Sequence, residues 1–172
     1  MVIAFIKSDI KPKGGIMEFK NFDGLIEKLK SKSSLARVAV AAAHDEHTLE
    51  AVFKASKDGI VEPVLIGNKT KIMEILAHLN VKFNENKIIH VENDAEAAQK
   101  SVELVNQGRA DFIMKGKLQT ADLLKAAVNK EKGLRTGKGM SHVAILQIPS
   151  YHKLIAITDG GMMMYPNAEE KK

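Results

Sequence analysis

Short apolar runs alternate with amphipathic stretches along most of this chain, and that rhythm admits few folds. Phe22, Leu25, Ile26 and Leu29 recur at the i, i+3, i+4, i+7 spacing of a helix, with Asn21 placed to cap it. Residues 37–42 form an apolar run of strand length. Asp45 then opens a helix to about Lys57, turning Leu49, Val52 and Phe53 inward, and Gly59 ends it. Residues 63–66 give a second strand, closed by Gly67-Asn68, and a helix is expected over 70–79. A third strand is expected over 87–91. Asp94 is expected to cap an alanine-rich helix that stops at Gly108. A fourth strand covers 111–114, and Thr120 is expected to cap a helix to about Asn129. Strands so continuously apolar are buried on both faces, so the fold class is α/β: a mostly parallel sheet between two helical layers.

After residue 129 the rhythm breaks. Residues 130–141 make a Gly/Lys loop with no apolar face. Two strands follow, over 142–148 and 153–158, and the short Pro149-Ser150-Tyr151-His152 link between them suits an antiparallel hairpin. Met162-Met163-Met164 then precedes a charged tail, an unfavourable place for a soluble domain to stop, so more protein is expected beyond it. At the other end, Lys11-Pro12-Lys13-Gly14-Gly15 separates an apolar leader from the rest. The expected organisation is a leader or extension over 1–16, a first α/β domain over 17–141, and the start of a truncated second domain over 142–172. An ordinary edge strand and loop is the other reading of the leader.

The 172 residues include no cysteine, which removes disulfides, thiolate nucleophiles and cysteine-ligated metals. No apolar run reaches the roughly 18 residues of a membrane span, so a cytoplasmic protein with no membrane partner is expected. The formal charge of +5 is carried by lysines, with Arg37, Arg109 and Arg135 the only arginines. A basic surplus favours anionic ligands. Duplex readers lean on arginine forks and single-strand binders on stacked aromatics, and the chain is poor in both. A small phosphorylated ligand fits better than nucleic acid.

In a parallel sheet, ligands collect beyond the carboxyl ends of the strands. Three loops lie there: Ala43-His44-Asp45, Gly67-Asn68-Lys69, and Lys115-Gly116-Lys117-Leu118-Gln119-Thr120. The third joins a strand to a helix start with lysines beside it, a natural place for a phosphate oxygen. Lys125, one turn into that helix, lies on the face near its start, although an exposed, solvated lysine explains it as well. Residues 133–141 gather Arg135, Thr136, Lys138 and Ser141 among three glycines. They lack the spacing of a nucleotide phosphate loop, and no Gly-x-Gly-x-x-Gly follows the first strand. His44 and His47 invite a metal reading, but a polar helix start accounts for them, and no metal is expected.

The run from Ala110 to Asp122, continuing through Gly133-Leu134-Arg135-Thr136-Gly137 and Met140-Ser141-His142-Val143-Ala144, resembles the phosphate acetyl/butyryltransferases, especially the butyryl branch. Thr158-Asp159-Gly160-Gly161 and Tyr165-Pro166-Asn167 extend the resemblance, as do residues 38–43 and 63–68. It implies an exchange of an acyl group between coenzyme A and inorganic phosphate, with coenzyme A as substrate and no other cofactor. It also implies a fold like that of isocitrate and isopropylmalate dehydrogenases, and a homodimer.

Residue by residue, Thr120 and Ala121 match the family's Thr-Ala helix start. Lys125 falls where many members carry a phosphate-binding arginine, and keeps the charge without the bidentate fork. Arg135 matches the arginine of the butyryl-type segment. Asp159 matches a motif aspartate with no assigned catalytic role. The family's aspartate base and its neighbouring serine have no counterpart here, so the catalytic residues are unknown. The expected phosphate- and substrate-binding set is Lys115, Gly116, Thr120, Lys125, Arg135, Thr136 and Ser141. Two other classes stay open: a non-catalytic coenzyme A or anion-binding module, including a half-enzyme needing a partner chain, and a dehydrogenase-like relative of the same fold.

Overall fold

A computed structural model of the chain describes residues 4–6, 19–31, 34–137, 140–163, 165 and 167. Most of the leader, Lys138 and Met164 lie outside the described residues. The elements run β1 (Ala4–Ile6), α1 (Phe22–Lys30), β2 (Ala36–Ala41), α2 (Glu46–Lys57), β3 (Val61–Gly67), α3 (Lys69–His78), β4 (Ile88–His90), α4 (Asp94–Asn106), β5 (Phe112–Lys115), α5 (Thr120–Ala127), β6 (Ala144–Leu146) and β7 (Ile155–Ile157). A turn of 3₁₀ helix, Glu85–Lys87, leads into β4. Contacts divide the chain into two units: the sheet of β1–β5 with α2–α5, and α1 with β6 and β7.

The sheet has the order β1-β5-β2-β3-β4, and β2, β3, β4 and β5 are parallel. β1 lies antiparallel on the edge of β5, pairing Ala4 with Met114 and Ile6 with Phe112. The register sorts side chains between the two faces. Val38, Val40, Leu65, Ile88 and Met114 share one face with Leu49 and Val52 of α2 and Ile72 and Leu76 of α3. The alternating Ala39, Ala41, Ile66 and Ile113 are fully buried on the other, by the two-residue period of a strand. α4 packs on β2, β3 and β5, and its Ala97 and Ala98 bring the helix close to the sheet. Each fully buried leucine or isoleucine contributes about 1.5–3 kcal/mol, so this core carries the unit's stability.

Helix starts follow side-chain chemistry, with two corrections to the sequence reading. Asn21, Asp45 and Asn68 cap α1, α2 and α3 with side-chain oxygens on backbone N–H groups. Asn93, rather than Asp94, caps α4, because residue 93 holds the extended backbone a cap requires and Asp94 is already helical. Gln119, rather than Thr120, occupies the cap of α5 for the same reason, and it makes no side-chain cap bond.

In the other unit, β6 and β7 pair antiparallel with Ile145 opposite Ala156, as the hairpin link suggests, but the strands are only three residues each. His142, expected in a strand, precedes β6. Gln147 accepts the Phe22 N–H at 2.8 Å, and Phe19 accepts the Leu154 N–H at 3.2 Å, which ties α1 to the hairpin. Among the described residues, no helix is long and apolar enough to cross a membrane.

Candidate functional site

From β2 the chain winds outward to β3 and β4, then returns to lay β5 on the other side of β2. The reversal sets the carboxyl ends of β2 and β5 side by side, and the crevice at such a reversal is where open α/β sheets hold their ligands. The loop after β2, residues 42–45, and the loop after β5, residues 116–119, form its walls. They are laced together: the Gly116 N–H donates to Ala41 O at 2.8 Å, and the Lys117 N–H to Ala42 O at 3.0 Å. A Cβ on Gly116 would lie 2.4 Å from Ala42 O, so only glycine permits this approach. Ala42 itself takes φ 54, an uncommon conformation for a residue with a side chain.

The loop after β5 is shaped from within by Lys115. Its Nζ donates to Leu118 O at 2.7 Å and to Gly116 O at 3.2 Å. Thr120 is the first residue of α5, and the missing side-chain cap leaves its N–H and that of Ala121 open, while the Asp122 N–H donates to Gln119 O at 3.1 Å. Across the crevice, Asp45 Oδ2 accepts the Thr48 N–H at 3.0 Å and its hydroxyl at 2.7 Å. The Thr48 hydroxyl bond holds the Asp45 carboxyl below its ordinary value, with smaller help from the Thr48 N–H, His47 and Lys117 against the opposing effect of burial.

Lys125 is exposed and faces α4 across a groove of about 220 Å³, shared with Asp122, Asn129 and Lys132. Arg135 and Thr136 follow a tightly anchored stretch. Asn106 donates to the carbonyls of Lys132 and Gly133 at 2.9 and 3.0 Å, and the Leu134 N–H donates to Ala127 O at 2.7 Å. Both residues are exposed beyond that anchor, and Arg135 pairs with no described carboxylate. Ser141 is exposed in the unit of α1 and the hairpin. The structure therefore brings Lys115, Gly116 and Thr120 together at the connection from β5 to α5, sets Lys125 further along α5, and puts Arg135 and Thr136 after that helix.

His44 is a crevice residue whose surroundings the sequence reading missed. Its Nε2 lies 3.9 Å from Asp94 Oδ1, and its Nδ1 is buried without a partner beside Gly67. His47 leans toward Glu50 instead, at 3.6 Å. Among the described residues no group of three or more His, Asp or Glu side chains is placed to hold a metal ion. In the other unit Asp159 gathers three backbone N–H groups: Gly161 at 2.9 Å, Met162 at 2.8 Å and His142 at 2.9 Å. Those donors, Gly161 foremost, pull its carboxyl down to about 2. Asp159 thus closes its loop as a structural staple.

Comparison with known proteins identifies the family and the fold. A sequence model of the family described as phosphate acetyl/butaryl transferase matches residues 22–102 and 95–172. The chain is 43% identical over 152 residues to a phosphate butyryltransferase of Clostridium acetobutylicum, covering 88% of this chain and 50% of that protein. It is 39% identical over 147 residues to a phosphate acetyltransferase of Thermotoga maritima, covering 86% of this chain and 49% of that one. A crystal structure of a phosphotransacetylase from Streptococcus pyogenes shares the fold with a TM-score of 0.69 at 21% identity, over 87% of this chain and 53% of that one. The chain spans about half the length of the curated relatives it matches. On the strength of that match over most of its residues, the chain belongs to the phosphate acetyl/butyryl transferase family.

Proposed function

We propose that this chain serves acyl transfer between coenzyme A and inorganic phosphate, with acyl-CoA plus phosphate giving acyl phosphate plus CoA. The observation that carries the reading is the family match together with the crevice at the β2/β5 reversal, where the uncapped start of α5 meets a lysine-bearing loop. A phosphate oxygen attacks the thioester carbonyl carbon, the C–O bond forms, the C–S bond breaks, and the thiolate leaves and takes a proton. Open N–H groups at the start of α5 and the charge of Lys115 and Lys125 favour the phosphate, and Arg135 and Thr136 supply further donors. Alignment of the two reactants is the main demand, since the reaction needs no group of its own from the protein beyond acid–base help. The finer fold label, the layered sandwich of isocitrate and isopropylmalate dehydrogenases, belongs to the same proposal, as do a cytoplasmic location and a homodimer.

Because the chain spans half of its relatives, the reading assigns it the anion-binding side of the reaction and leaves thiol activation to residues without a counterpart here. The test offers the purified chain butyryl-CoA and phosphate and follows free thiol. Coenzyme A binding without thiol release is the expected result. Phosphate-dependent release that vanishes in Arg135→Ala would overturn the division of labour and leave acyl transfer standing. A folded chain that ignores coenzyme A and instead changes the absorbance of a nicotinamide cofactor would overturn the acyl-transfer reading.

A further inference from the structure

Four lysines of the sheet-containing unit are half-buried: Lys69, Lys87, Lys100 and Lys115. Three of them pair with carboxylates: Lys69 with Glu85 at 2.8 Å, Lys87 with Glu62, and Lys100 with Glu103 at 2.9 Å. Lys115 pairs with no carboxylate among the described residues. Its ammonium instead turns back under its own loop to the carbonyls of Leu118 and Gly116. A lysine drawn partly out of water ordinarily finds a counter-charge, because desolvating an unpaired ammonium is costly. Carbonyl dipoles hold this one in place and leave its charge uncompensated. An ammonium has three N–H donors, and two are engaged here.

We propose that Lys115 is a positioning residue of the anion site: it folds the 116–119 loop so that the start of α5 faces the crevice, and it fixes one positive charge beneath that loop. The inference rests on the functional reading above and deepens it, since the counter-charge Lys115 lacks within the chain is then a ligand oxyanion, a phosphoryl group. Charge fixed before the ligand arrives needs no reorganisation when it binds. The paired lysines cannot serve in this way, because their charge is already neutralised.

The test uses the isotope-labelled 172-residue chain, its backbone amide spectrum, and a titration with inorganic phosphate. Lys115→Met removes donors and charge, Lys115→Gln keeps N–H donors without charge, and Lys115→Arg keeps both. Lys115→Met is expected to move the amide signals of residues 116–120 and leave those of Leu49 and Ile72 in place. Loss of one charge-assisted contact corresponds to about a tenfold fall in phosphate affinity in the Met and Gln variants, with Arg within about threefold of the parent. Unmoved loop amides in Lys115→Met would overturn the positioning role. Equal weakening in all three variants, or none in any, would overturn the role of the charge. If the parent chain shows no phosphate response at these amides, the functional reading of this loop falls, and the amide shifts of Lys115→Met alone decide whether Lys115 shapes it.

Discussion

Gly116 donates its N–H to the carbonyl of Ala41 at 2.8 Å, and this bond joins the ends of the two strands that flank the crevice. The contact exists because residue 116 has no side chain: a Cβ would stand 2.4 Å from Ala42 O and 2.6 Å from Ala41 O. Both obstacles are backbone atoms, so they cannot swing aside as the tip of a flexible side chain does.

Gly116→Ala is therefore expected to push the two loops apart and to cost about 2 kcal/mol or more, in the range of overpacking. Denaturant unfolding measures the cost, and amide shifts at residues 41–45 locate it. An alanine variant of unchanged stability and spectrum would show that the loops are not tied in this way.

Arg37 and Asp111 join the opposite ends of the same two strands. The guanidinium donates to Asp111 through Nε at 3.1 Å and Nη2 at 2.7 Å, and through Nη1 to Gly108 O at 2.6 Å. That guanidinium bond, ahead of the opposing effect of burial, holds the Asp111 carboxyl below its ordinary value of 3.8. Both side chains are more than a third exposed, so water screens the pair. Arg37→Lys is expected to lower the stability only modestly, because lysine lacks the planar fork and water screens the pair. A carboxylate whose folded value is depressed stabilises above its unfolded value, and the contribution fades as the pH drops through the lower, folded value. The cost of Arg37→Lys should then shrink below pH 3.8. A cost that stays level through that range would remove the ion pair from the account.

Asp159 gives a pH prediction in the other unit. Its carboxyl is held at about 2 by the N–H groups of Gly161, Met162 and His142, so the closed loop is favoured above pH 3.8 and opens as the pH falls through about 2. The amide signal of His142 should follow that titration. A midpoint near 3.8 would mean that the three donors do not hold the carboxylate in solution.

Much of the α/β unit was legible in the sequence because burial writes itself into strands. Residues 38–41 of β2 and 63–67 of β3 are apolar on both faces, and Asp45 before α2 marks where that helix begins. Ends were less legible. Asn93 and Asp94 are both good caps by composition, and only the backbone angle at residue 93 decides between them. The antiparallel β1 was equally open, since three residues carry no periodicity that separates an edge strand from a leader.

The site divides along the same line. The Lys-Gly-Lys loop could be picked out because its position after a strand and before a helix has chemical meaning. That Lys115 turns inward to carbonyls rests on side-chain direction, and the His44–Asp94 pair on a contact across 50 residues; neither leaves a local pattern.

The most direct measurement is a calorimetric titration of the purified chain with coenzyme A in the presence of phosphate, beside the Lys125→Ala and Arg135→Ala variants. The account predicts saturable binding that weakens about tenfold in each variant, as removal of one charged contact would give. A folded chain that binds no coenzyme A, or binds it equally well without either cation, would contradict the assignment of the anion-binding side of acyl transfer to these residues.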